Sequence, residues 1–263
     1  LDRRPGYSRR ISTAITGAGK VTGLGYFRDV DFASTFVAVS GGKLYEDVSG
    51  AWTERSSATP FDSSVLATLI PVNRSIAISD QTNSPRIWNG SGTVDVLNSR
   101  FGRCGCLAEH KGYLFLGDPT DGGTRYYYQV FNSVAPGSPT VFADSKSDTN
   151  RTDQVISLIP TDDYILIFLD TQIWYAVYSP TSPSFGQSGF LFSYKVADPG
   201  VGIVGPRAAV NVPGRFTMFW GIRGPYVIRS PEYPAKYIGA RIETFVSGID
   251  KNYQNGIVAA YWP

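Results

Sequence analysis

Cysteine, histidine and methionine are nearly absent from this chain. Of its 263 residues, two are Cys, one is His and one is Met. The two Cys form Cys104–Gly105–Cys106. Alternate residues of a strand point to opposite faces, so this pair is poorly placed for a mutual disulfide. No disulfide framework is expected, which suits a reducing site of synthesis. Cys106 and His110 are too few to hold a metal. Charge is scarce too, at 17% of residues and a net +2. A domain that reads nucleic-acid sequence is normally more basic than this chain's pI of 8.5. No apolar run reaches the ~18 residues of a spanning helix, and no secretory signal is visible at the start as given. Leu1 is not an initiator Met, so a processed or internal start is expected.

Glycine, proline and aromatic residues are abundant. There are 28 Gly and 17 Pro, and 14% of residues are aromatic. Gly and Pro at that density cut a chain into short segments, as all-β proteins require. With 42% hydrophobic residues a sizeable core is available.

One sentence is written five times. Phe36–Tyr45, Ser75–Trp88, Gly112–Tyr128, Tyr164–Tyr175 and Phe216–Ile228 each run from an apolar strand through a polar or Gly turn into a second apolar strand. Two-residue Gly turns such as Gly41–Gly42 are strong hairpin signals. The central strands first turn apolar at Val37, Ile76, Tyr113, Ile165 and Thr217. Those spacings approximate the ~40–50 residues of a four-stranded propeller blade. Several of these strands are apolar at consecutive positions, as strands buried on both faces should be.

The expected fold is therefore all-β, a β-propeller of about five to six blades with an extended N-terminal arm. A β-sandwich or a pair of small barrels explains five similar hairpins less readily. Residues 1–20 form the arm and residues 21–263 the propeller domain. Ser133–Asn150 and Ser179–Gly189 read as loops. Tyr237–Ile249 reads as an outer strand or a short helix. Gly256–Tyr261 reads as the first strand of a further unit without a body, so the propeller is incomplete at the C-terminus and its continuation closes the ring. Alternatively Val21–Phe27 closes it with the last strand.

No catalytic signature stands out. Asp80, Asp118, Asp121, Asp162, Asp163 and Asp170 sit near strand ends, where a glycosidase could pair two carboxylates about 5–10 Å apart. Solvated turn residues or strand caps are the plainer reading of such acids. Asp80 aligns with Gly41, Asp118, Asp170 and Ile222, and so reads as a variable turn residue. His110 lies in a turn and is expected at the surface, with no G-x-S-x-G before it. Asp118–Gly123 lacks the twelve-residue calcium-loop pattern, and no dinucleotide or P-loop fingerprint occurs. Tyr126–Tyr127–Tyr128 reads as packing rather than as a base-stacking platform. The arm holds Arg3, Arg4, Arg9 and Arg10 against Asp2, a local excess of positive charge that suits docking on an acidic partner or on phosphate.

Arg3–Arg4–Pro5–Gly6–Tyr7–Ser8–Arg9–Arg10, then Gly23–Leu24, Val37–Tyr45 and Ile76–Asp80, resembles the tail nozzle proteins of short-tailed bacteriophages, also called tubular or DNA-stabilization proteins. The resemblance covers roughly residues 3–90. It implies a structural virion protein made in the host cytoplasm and placed in the virion tail. It further implies a homo-oligomeric ring, a hexamer, beneath the portal and adaptor. Such a ring continues the DNA channel for genome retention and ejection and carries fibres or a needle. No enzyme activity, catalytic residue, cofactor or metal is then expected. Arg3, Arg4, Pro5, Gly6, Tyr7, Arg9 and Arg10 become an assembly contact, the guanidinium groups forking onto carboxylates of a neighbour. DNA would pass non-specifically. The competing expectation is a carbohydrate-binding or glycoside-hydrolysing propeller in which Trp88, Trp174 and Trp220 line a sugar site.

Overall fold

Alternating apolar strands and left-handed turns build small antiparallel meanders, each one a sheet. The structure is a computed structural model. It describes residues 14–15, 19–29, 31–56, 58, 60–97, 102–118, 120–121, 124–131, 142–147, 153–178 and 192–261, with backbone alone for 120–121, 124–131, 142–147 and 192–196.

Sheet I comprises β1 (Val21–Arg28), β2 (Ser34–Ser40), β3 (Lys43–Val48) and β4 (Ala51–Glu54). Sheet II comprises β5 (Thr68–Val72), β6 (Ser75–Ser79), β7 (Arg86–Trp88) and β8 (Asp95–Val96). Sheet III runs β9 (Cys106–His110), β10 (Tyr113–Gly117), β12 (Thr124–Phe131) and β13 (Phe142–Ser147), with the short β11 (Thr120–Asp121) folded back on β12. Sheet IV comprises β14 (Val155–Pro160), β15 (Tyr164–Leu169), β16 (Ile173–Tyr178) and β17 (Phe192–Asp198). Sheet V comprises β18 (Ala209–Val212), β19 (Phe216–Gly221), β20 (Gly224–Ile228) and β21 (Lys236–Tyr237). The few helical turns lie between Gly239 and Gly256, among them α1 (Glu243–Ser247).

Turn chemistry sets the registers. Gly41 and Gly42 both have positive φ, and Ser40 pairs with Lys43 across them. The same geometry joins β9 to β10 through Lys111–Gly112, and β3 to β4 through Ser49–Gly50. It also joins β5 to β6 through Asn73–Arg74, which no glycine announces. Positive φ at both central residues matches the right-handed twist of the flanking strands.

The sheets pack face to face along their first strands: β1 on β5, β5 on β9, β9 on β14 and β14 on β18. Strand pleating then deals alternate residues to opposite cores. On β6, Ile76 and Ile78 enter the core shared with sheet I, and Ala77 enters the core shared with sheet III. On β10, Leu114 and Leu116 face sheet II, and Phe115 faces sheet IV. On β15, Ile165 and Ile167 face sheet III, while Leu166 and Phe168 face sheet V. Each such buried Leu, Ile or Phe side chain contributes roughly 1.5–3 kcal/mol. Phe27 meets Trp88 edge-on at 5.7 Å between sheets I and II. Phe168, Phe219 and Tyr226 form a ring chain between sheets IV and V. Gly25 admits sheet II to close range, because a Cβ there would lie 2.7 Å from Ile76 Cδ1.

Several sequence expectations are corrected. Val21–Phe27 does not pair with a last strand; it lies within β1, which pairs with β2 along its length. Ser133–Asn150 contains β13, whose polar composition hid an edge strand from periodicity. The loop expected at Ser179–Gly189 and residues 1–13 and 16–18 of the arm lie outside the described residues. Gly256–Tyr261 carries no assigned strand, because its described residues have one backbone bond to the preceding sheet, Ala259 N–H to Arg207 O at 2.8 Å, and no ladder.

Candidate functional site

The starts of β5, β9 and β18 and the middle of β14 converge on a cavity of about 310 Å³. Its wall is largely apolar, with Leu69, Leu107 and Leu158 among the lining residues, and Arg207 is its cation. Arg207 Nη2 donates to the carbonyl of Ala67 at 3.1 Å, a bond from sheet V to sheet II. Burial lowers the Arg207 pKa below its ordinary value. No carboxylate lines the cavity. Three hydroxyl or thiol side chains line it, those of Thr68, Ser157 and Cys106. Ser157 Oγ donates to Pro206 O at 3.0 Å. Burial pushes the Cys106 thiol well above its ordinary pKa, with the neighbouring Cys104 adding to the shift. A nucleophile needs the opposite shift or an adjacent base. The arrangement can bind an anion or a backbone; it holds no acid–base pair.

A second cavity, of about 210 Å³, opens between the β14–β15 and β18–β19 turns. Asp162, Asp163, Arg215 and Arg229 line it, all of them exposed. It is a wet, mixed-charge cleft. Among the described residues no group of His, Cys, Asp and Glu is placed to hold a metal.

The other acids picked from the sequence are structural braces. Asp80 lies in the turn after β6 and does more than end it. It is buried, and its carboxylate accepts the N–H groups of Asp62, Thr82 and Asn83 and the Asn83 amide. Asp118 is buried and pairs with Arg103 at 3.2 Å. Asp170 accepts Gln154 N–H at 3.2 Å. In all three, an acid that follows the second strand of a sheet holds the segment leading into the first strand. Sheet I does the same with a hydroxyl, Ser40 Oγ donating to Gly19 O at 2.9 Å. In sheet V, Gly221 lies so close to Gly202 that a Cβ would meet its carbonyl at 2.9 Å. The Asp121 side chain lies outside the described residues.

His110 is also corrected. It ends β9 with 3% exposure instead of lying at the surface. Burial, with Lys111 adding, lowers its pKa to about 4, so it is neutral at pH 7. The three tryptophans do not converge. Trp88 is buried between sheets I and II, Trp174 between III and IV, and Trp220 packs against the IV–V core. Trp88 Nε1 donates to Gly92 O, and Trp174 Nε1 to Gln172 Oε1. They cannot line one sugar site, because the pleat assigns each to a different interface. Arg3, Arg4, Pro5, Gly6, Tyr7, Arg9 and Arg10 lie outside the described residues.

No protein-family model and no curated protein matches the sequence. Among solved structures, the chain is similar to the PQQ-bound aldose sugar dehydrogenase of Streptomyces coelicolor, at 14% identity. The match covers 84% of this chain and 80% of that one with a TM-score of 0.32, too low to carry an argument about function.

Proposed function

We propose that this chain is a structural, non-enzymatic virion protein: a nozzle subunit of a short-tailed phage, whose five sheets are blades of a propeller and whose residues 1–20 are a docking arm. The observation that carries the reading is where the apolar surface goes. Leu24, Phe32, Ile222, Tyr233, Phe245, Tyr253 and Val258 are each more than half exposed. Burying these side chains is a use that a permanent assembly would give them. The tail resemblance of residues 3–90 supports the same reading. So does the use of Asp80, Asp118 and Asp170 as braces.

In this role the subunit forms a ring below the portal and adaptor, and the Arg-rich arm contacts a neighbour. Light scattering of the purified protein tests it, with a mass near six subunits expected. A monomer that binds a glycan array would overturn it. In virions, Arg3→Glu with Arg4→Glu should reduce tail incorporation several-fold while the purified mutant keeps its thermal transition. Unchanged incorporation would remove the arm from the assembly.

A further inference from the structure

The cavity at β5, β9, β14 and the segment before β18 is met by strand edges and not by strand faces. Its lining takes consecutive residues: 67–70, 106–107, 157–159 and 206–207. Neighbouring residues of a strand point to opposite faces, so a face would supply every second one. β5, β9 and β14 are each an end strand of their sheet, paired along one side only. A sheet edge carries backbone N–H and C=O groups outside the ladder, and these edges bring theirs to the cavity beside the Thr68 hydroxyl. A smaller cavity of about 150 Å³ adjoins it along the same strands. There Gly105 precedes Cys106, Val155 and Ile156 precede Ser157, and Pro206 lines both spaces. The two make one cleft along β9 and β14.

Two of the lining residues are cationic, and they differ in what answers them. Arg103 pairs with the buried Asp118 at 3.2 Å. Arg207 makes no ion pair among the described residues, where the Ala67 carbonyl is the one partner of its side chain. A guanidinium carries five N–H donors, so most of those on Arg207 are left for something else. Burial alone shifts its pKa, with no carboxylate to offset it. A cation withdrawn from water is costly without a counter-charge. Leu69, Leu107, Leu158 and Ile159 make the wall beside it apolar. The volume of about 310 Å³ is at the lower end of pockets that hold small organic ligands.

We infer that this cleft binds a small organic carboxylate with an apolar body. Arg207 takes the carboxylate through charge-assisted N–H···O bonds, and the leucine and isoleucine wall takes the body. An inorganic anion would answer the guanidinium and leave the wall wet, and a neutral apolar molecule would do the reverse. Both bind more weakly than a ligand that does the two together. The site lies within one chain, so it stands apart from the ring proposed above.

Octanoate, 1-octanol, octylamine and inorganic phosphate are the probes, each titrated into the unaltered chain by calorimetry. Octanoate should bind once per chain and at least about ten-fold more tightly than the other three. Phenylglyoxal labels guanidinium groups, and peptide mapping then reads each arginine by itself. Octanoate should slow the labelling of Arg207 several-fold, while Arg215 in the exposed cleft at the β18–β19 turn keeps its rate. Arg207→Gln should weaken octanoate at least about ten-fold and leave 1-octanol unchanged, a split that a bracing role for the Arg207–Ala67 bond would not produce. Labelling needs no variant, so it decides even where Arg207→Gln does not fold. Equal affinity for octanoate and 1-octanol would overturn the proposal. So would octanoate binding that leaves Arg207 unprotected, an Arg207 unreactive even without octanoate, or no binding up to about 10 mM.

Discussion

The carboxylate of Asp80 accepts the backbone N–H of Asp62 at 2.6 Å, so the turn after β6 holds the segment that leads into β5. The same carboxylate closes its own turn through Thr82 and Asn83. Replacing Asp80 by Ala removes the shared acceptor of the Asp62, Thr82 and Asn83 N–H groups. The expected loss is about 3 kcal/mol in urea unfolding, and about half that for Asp80→Asn. A change below about 0.5 kcal/mol would show that the brace contributes nothing.

Gly202 lies against the backbone of the β15–β16 turn. A Cβ at this position would sit 1.9 Å from the carbonyl oxygen of Asp170. Backbone cannot step aside as a side-chain tip can, so Gly202→Ala should destabilise by about 3 kcal/mol or more. Gly256→Ala, with nothing within 4 Å of its Cβ, should stay within about 0.5 kcal/mol. Thermal melts of the two variants make the comparison.

His110 predicts a pH dependence with a definite sign. Its pKa is lowered to about 4 in the fold, against an ordinary 6.5. Between those values the unfolded chain binds a proton that the native protein does not. The contribution to stability is complete above about pH 6.5, falls as pH drops through the window, and levels off below about 4. Its size is at most on the order of 3 kcal/mol. His110→Leu should flatten that part of the stability profile; an unchanged slope would place the titration elsewhere.

Cys104 and Cys106 should be inert. Burial pushes the Cys104 thiol up to about 12, and its Sγ–H donates to Cys106 O at 3.0 Å. A disulfide reagent at pH 8 should modify neither in the native protein and both in denaturant, because the thiolate is the reacting form. Modification within minutes under native conditions would contradict the burial.

Much of the fold was legible because it is local. Gly41–Gly42 requires positive φ, and Phe36–Tyr45 alternates around it, so the hairpin could be read from ten residues. Asn73–Arg74 makes the same turn without glycine, and β13 is an edge strand of polar residues; neither leaves a periodic signal. The candidate site was less legible still. Arg207 reaches Ala67 across 140 positions, and no spacing rule connects them.

By itself the sequence determined short strands, tight turns and a five-fold repeat, since φ preferences and strand pleating act between neighbours in the chain. Only the tertiary structure decided what the repeated positions do. It placed Asp80, Asp118 and Asp170 as braces and sent Trp88 and Trp174 into separate cores. Burial and hydrogen-bond partners arise where segments far apart in sequence meet, and residue type does not carry that information.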